Sequence, residues 1–119
     1  MYRVSKQFHF SAAHQLTLLP DEHPCRRMHG HNYIVEVVLE RKELDPRGFV
    51  VEYHDLAPIK SFIDDNLHHR NLNEVMPYPP TSENIARYLY DTFKPDFPAL
   101  SKVRVSETPR TWAEYDPNS

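Results

Sequence analysis

Apolar and polar residues alternate at the start of the chain. Tyr2, Val4, Phe8, Phe10 and Ala12 share one parity, with Lys6 as the interruption, and His14 falls on the same side. A period of two predicts a strand over residues 2–14 with one buried face. Residues 15–27 hold Pro20, Pro24 and several charges, and predict a loop. Alternation resumes from Met28 to Arg41. His29, His31, Tyr33, Val35, Val37 and Leu39 line one face, with Asn32, Glu36 and Glu40 on the other. This predicts a second strand, antiparallel to the first. "DPRG" at 45–48 is turn chemistry. The spacing then becomes helical. Leu56, Ile59, Phe62, Ile63 and Leu67 follow Asp55 as cap, with Pro58 tolerated in the first turn. Ile85, Leu89 and Phe93 predict a second helix, opened by Thr81 or Ser82 and ended by Pro95. Val103 and Val105 mark a short strand, and "TWAEY" at 111–115 another. The order β-β-α-α-β-β predicts an α+β fold, with two helices on one face of an antiparallel four-stranded sheet. Strands this long expose edges that must be covered or paired, which predicts an oligomer closed through its sheets.

Composition narrows the function classes. The 119 residues suit one domain over 1–119, and 39% hydrophobic content can fill a modest core. No apolar run reaches the roughly 18 residues that span a bilayer, and the first ten residues lack a secretory signal. The single cysteine excludes an internal disulfide and favours the cytosol. Net charge is -3, and no basic stripe stands out to bind nucleic acid. Eight histidines is a heavy load for this length.

Three of those histidines share a pattern, H-x14-H-x-H. His29 and His31 are two apart on a strand and point the same way, and His14 ends the strand before. A hairpin would bring the three together. Three neutral imidazoles suit Zn2+ with a fourth place left open, the catalytic arrangement. The bland alternative is a set of polar residues satisfied by hydrogen bonds. Cys25 lies four residues before His29, beside Arg26 and Arg27. It reads as a reactive thiol favoured as thiolate by the arginines, as a buried small hydrophobe, or as a fourth metal ligand. The arginines themselves could hold an anionic substrate group or be solvated surface. Glu107 has the parity of Val103 and Val105, so its carboxylate needs a partner. That partner is either a structural Arg or Lys, or a ligand edge with two parallel N–H donors. His68 and His69 end the first predicted helix, where its dipole favours cations, and one of them could relay protons.

The stretches "FHFSAAHQL", "HPCRRMHGHNY", "GFVVEYHDL", "HHRNLN", "PPTSENIARYL" and "VRVSETPRTWAEY" run from residue 8 to 115. Together they resemble the 6-pyruvoyltetrahydropterin synthase and 6-carboxytetrahydropterin synthase family. The resemblance implies the tunnelling fold, in which subunits assemble around a central barrel, usually as a hexamer of two trimers with active sites between subunits. It implies Zn2+ on His14, His29 and His31, a catalytic thiol at Cys25, a proton-relay histidine at His69 and a pterin anchor at Glu107. Thr81 and Ser82 match a stretch bordering the pterin pocket. Only Arg26, Arg27 and Met28 separate the cysteine from the H-x-H pair. That short spacing resembles the 6-carboxytetrahydropterin synthases of 7-deazaguanine and queuosine biosynthesis. The implied substrate is 7,8-dihydroneopterin triphosphate. The implied products are 6-carboxytetrahydropterin, acetaldehyde and triphosphate. The alternatives are the pyruvoyl synthase, a sepiapterin-cleaving enzyme, or a pterin- or metal-binding homologue without catalysis. Arg26 and Arg27 are the candidates for the triphosphate. One departure stands out: the family usually has Asp before the relay histidine, and this chain has His68. Asp64 and Asp65, one helical turn upstream, are the candidate replacements.

Overall fold

A computed structural model describes residues 1–119. Strands β1 (Tyr2–His14) and β2 (His29–Arg41) form a long antiparallel hairpin, followed by β3 (Leu100–Thr108) and β4 (Thr111–Tyr115). The sheet order is β1-β2-β3-β4, all antiparallel, so β1 and β4 are its edges. Between the strand pairs run helix α1 (Ala57–Asn66), a short helix α2 (Leu72–Val75) and helix α3 (Ser82–Phe93). The predicted β-β-α-α-β-β order holds, with α2 added. Its signature was present in "NLNE": Asn71 caps it, accepting the Asn73 N–H, and Glu74 stands in the first turn.

Alternation sends one face of the sheet into the core. Phe8, Phe10, Tyr33, Val35, Val37, Leu39, Val103 and Val105 are buried there. They meet Ile59, Ile63 and Leu67 from the first helical segment and Ile85, Leu89 and Phe93 from α3. Phe62 and Phe93 join α1 to α3 edge to face, 5.5 Å between centroids. Lys6 breaks the apolar parity by snorkelling: its Nζ lies 5.5 Å from the centre of the Phe8 ring. The opposite face is mostly polar, with Ile34 and Val38 among its charged residues. Arg3 pairs with Glu40 at 2.6 Å and Arg104 with Glu36 at 2.9 Å across neighbouring strands.

Two local expectations are corrected. Asp55 does not cap α1. It sits inside a 3-10 turn, Tyr53–Leu56, which Glu52 caps by accepting the His54 N–H at 2.7 Å. The chain runs from that turn into α1 without a side-chain cap, and Pro58 occupies the first turn, where its missing N–H costs nothing. His68 and His69 do not end the helix. α1 stops at Asn66, Leu67 is its C-cap, and His69 adopts a left-handed backbone with φ 59°.

Candidate metal centre and active site

The β1–β2 register places the three histidines. His14 pairs with His29 and Ala12 with His31, so three imidazoles project from one end of the hairpin toward the helices. Their ligand nitrogens lie within 4.8 Å of one another. His14 is fully buried, and His29 and His31 are partly exposed. Neighbouring backbone fixes two of the rings. His14 donates Nδ1–H to the Pro80 carbonyl at 2.8 Å, and His29 donates Nδ1–H to the Arg27 carbonyl at 2.7 Å. A carbonyl only accepts, so both Nδ1 atoms carry a proton, and when the rings are neutral both Nε2 atoms are left with lone pairs. Those two lone pairs face each other at 2.9 Å. Two acceptors at that distance cannot form a hydrogen bond, and a cation between them resolves the repulsion. The donor set therefore fits a metal ion of the kind imidazole nitrogens hold, Zn2+ among them. Sequence reasoning missed Tyr33, whose hydroxyl lies 3.2 Å from His14 Nδ1. Its place on the buried parity was the available signal.

Electrostatics favours the neutral rings that a metal requires. Burial holds the His14 pKa below its usual 6.5; the Pro80 carbonyl opposes this, and the neighbouring His29 and His31 add to it. Burial also lowers His31, with Glu107 opposing. In the unfolded chain these rings titrate near 6.5, so below that pH the unfolded state binds more protons than the metal-free fold. Stability is fully present above 6.5 and drains away as pH falls through the lowered values. Calorimetry of the chelator-treated protein should accordingly show a falling unfolding midpoint on acidification below 6.5. A midpoint insensitive to pH in that range contradicts the assignment of buried neutral imidazoles.

No Arg or Lys pairs with Glu107. β3 is irregular between Val105 and Thr108. The Glu107 carboxylate reaches the cluster, with Oε2 at 3.7 Å from His31 Nε2 and 3.9 Å from His14 Nε2. Its side chain is one-third exposed and borders a cleft of about 380 Å³ with Ser82 and Trp112. Thr81 has another task, since its Oγ1 caps α3 by accepting the Asn84 N–H at 3.2 Å. On the other flank a cleft of about 510 Å³ is bounded by Ser11, Gly30, His31, Asn32, His69 and Arg70. His31 and Glu107 thus join two openings at the histidine cluster.

Cys25 lies in a 3-10 turn, Pro24–Arg26, as a free and partly exposed thiol. Its N–H donates to His23 Nδ1 at 3.1 Å, and its carbonyl accepts the Leu16 N–H at 2.9 Å. Its sulfur is not among the donors that converge with the three histidines. The two arginines differ. Arg26 is spent on its own loop, donating to the Thr17 and Leu19 carbonyls and pairing with Asp21 at 3.0 Å. Arg27 is exposed, and its guanidinium makes no ion pair or hydrogen bond in the chain. Asp64 is likewise engaged, by Lys60 at 2.5 Å.

The model of the family described as 6-pyruvoyl tetrahydropterin synthase matches residues 3–118. The chain is 30% identical to the 6-carboxy-5,6,7,8-tetrahydropterin synthase of Bacillus subtilis, over 98% of this chain and 86% of that one. It is 34% identical to the human 6-pyruvoyl tetrahydrobiopterin synthase, over 95% of this chain and 90% of that one. Among solved structures it is similar to the 6-pyruvoyl tetrahydropterin synthase of Caenorhabditis elegans. That match has a TM-score of 0.84 and 32% identity, over 97% and 94% of the two chains. The sheet and helices are those of the tunnelling fold. On the match across nearly its whole length, the chain belongs to the 6-pyruvoyl tetrahydropterin synthase family.

Proposed function

We propose that this single domain over 1–119 is a zinc-dependent 6-carboxy-5,6,7,8-tetrahydropterin synthase. It converts 7,8-dihydroneopterin triphosphate to 6-carboxytetrahydropterin, acetaldehyde and triphosphate, as a step of 7-deazaguanine and queuosine biosynthesis. The observation that carries this reading is the pair of facing Nε2 lone pairs on His14 and His29, with His31 beside them and a free thiol one short loop away. The compact Cys25-to-His29 spacing favours the carboxy product over the pyruvoyl one.

When bound to the three histidines, Zn2+ supplies Lewis acidity to the hydroxyls of the substrate side chain. Cys25, as thiolate, takes the proton from the side-chain carbon nearest the ring. His69 passes protons in the later steps from its side of the larger cleft. Glu107 accepts the paired N–H groups of the pterin edge. Ser82 borders the same opening, with Thr81 next to it as the cap of α3. Because Glu107 lies within 4 Å of two ligand nitrogens, a ring anchored there carries its side chain to the metal centre. Arg27, with its free guanidinium, is the better placed of the two arginines to meet the triphosphate.

The edge strands β1 and β4 offer unpaired backbone, which supports assembly through the sheets into a hexamer of two trimers. No helix is long and apolar enough to cross a membrane, and the lone cysteine supports a cytoplasmic setting. Incubating the zinc-loaded protein with 7,8-dihydroneopterin triphosphate and identifying the products by mass spectrometry tests the reading. Stoichiometric 6-carboxytetrahydropterin and acetaldehyde are expected. A 6-pyruvoyl product would move the chain to the activity named for its human relative.

A further inference from the structure

Residues 68–71 run beside the outer edge of β1 near its end, at Ser11–Ala13, and leave the rest of that edge open. His69 N–H donates to the Ser11 carbonyl at 2.7 Å, Ala13 N–H donates to the Arg70 carbonyl at 3.1 Å, and Ala13 and Asn71 form a parallel bridge. The Ser11 N–H meets a ring instead of a carbonyl: it donates to His68 Nδ1 at 3.1 Å. Both backbone groups of Ser11 are therefore held by the dipeptide His68–His69. Next to this clamp His69 has φ 59°, a conformation that costs a residue other than glycine on the order of 1 kcal/mol. The two imidazoles stack with centroids 3.8 Å apart and planes 26° apart. The His69 ring borders the larger cleft, across from His31.

We propose that His68 is the positioning residue for His69. Its Nδ1 accepts the Ser11 amide, its ring is the platform on which the His69 imidazole lies, and the two together hold the left-handed turn that aims His69 into the cleft. An Nδ1 that accepts bears no proton, so the clamp uses the neutral ring protonated at Nε2. Adding a proton at Nδ1 would set a donor against a donor. His68 thus acts through an uncharged acceptor and a stacking surface. The proposal rests on the reading of His69 as the proton relay.

Three substitutions separate the parts. His68→Asn keeps an acceptor at the δ position and removes the ring, His68→Phe keeps the ring and removes the acceptor, and His68→Ala removes both. In the full-length metal-loaded protein, hydrogen exchange at the Ser11 amide is followed by NMR, alongside steady-state kinetics and metal content. Exchange at Ser11 is expected to stay slow in His68→Asn and to speed up at least about tenfold in His68→Phe and His68→Ala. The kcat is expected to fall at least about tenfold in His68→Phe and His68→Ala, with KM and metal content unchanged and partial rescue in His68→Asn. Equal exchange at Ser11 in His68→Ala and the unaltered protein overturns the clamp. An unchanged kcat in His68→Phe, or a loss confined to KM or to metal content, overturns the positioning role. If the unaltered protein shows no turnover of dihydroneopterin triphosphate, the functional reading falls, and the exchange pattern alone decides the clamp.

Discussion

Alanine at His29 or His31 is expected to abolish stoichiometric metal binding and turnover together, while the metal-free protein unfolds near its original midpoint. Losing only an outer partner of a metal ligand costs about 10–100-fold in affinity, and losing the ligand itself must exceed that. His29 and His31 are partly exposed, so their rings contribute little to packing. Alanine at His14 should remove the metal as well, and in addition destabilise the metal-free fold. That ring is fully buried and donates to the Pro80 carbonyl, which would lose its partner in the interior. An orphaned buried acceptor costs about 1–3 kcal/mol. For a domain of this size each kcal/mol lowers the midpoint by on the order of 4 °C. Elemental analysis of each purified variant and calorimetry after chelation separate the two effects. Undiminished metal in a His29→Ala/His31→Ala double variant would remove the centre from the scheme.

The second large effect is expected at Cys25. Cys25→Ala should lower kcat by about 10²–10⁴-fold, the range a positioned general base supplies. Metal content should not change, because the sulfur stands apart from the converging ligands. The thiol is free and partly exposed, so an alkylating reagent should inactivate the metal-loaded protein without expelling the metal. A thiol that reacts only after chelation would mean that it is itself a ligand. Turnover that survives the alanine substitution would assign the base elsewhere.

Much of the fold could be read from residue order, because burial on one face of a strand leaves a period of two. Phe8, Phe10, Tyr33, Val35, Val103 and Val105 follow it and are buried. The H-x14-H-x-H spacing likewise anticipates three clustered rings, since antiparallel pairing of His14 with His29 needs only a closed hairpin. What sequence left out depends on the path of irregular backbone. The Pro80 and Arg27 carbonyls decide which nitrogens of His14 and His29 are bare, and loop conformation alone positions them. The role of His68 was hidden for the same reason. Nothing in "NLHHRNLN" marks His69 as left-handed, a conformation that usually announces itself with glycine. Asp55 illustrates the reverse error: a good capping residue that lies inside the 3-10 turn capped by Glu52, one residue before Leu56, where α1 starts without a side-chain cap.

The tethers at Nδ1 have a wider reach than tautomer choice. One runs to the peptide just ahead of α3, the other to the peptide that closes the cysteine turn. Whatever occupies the space between His14 and His29 thereby tugs on two separate loops, one bearing the thiol and the other leading to Ser82. Exchanging one cation for a larger one at this centre would therefore be felt in both loops at once.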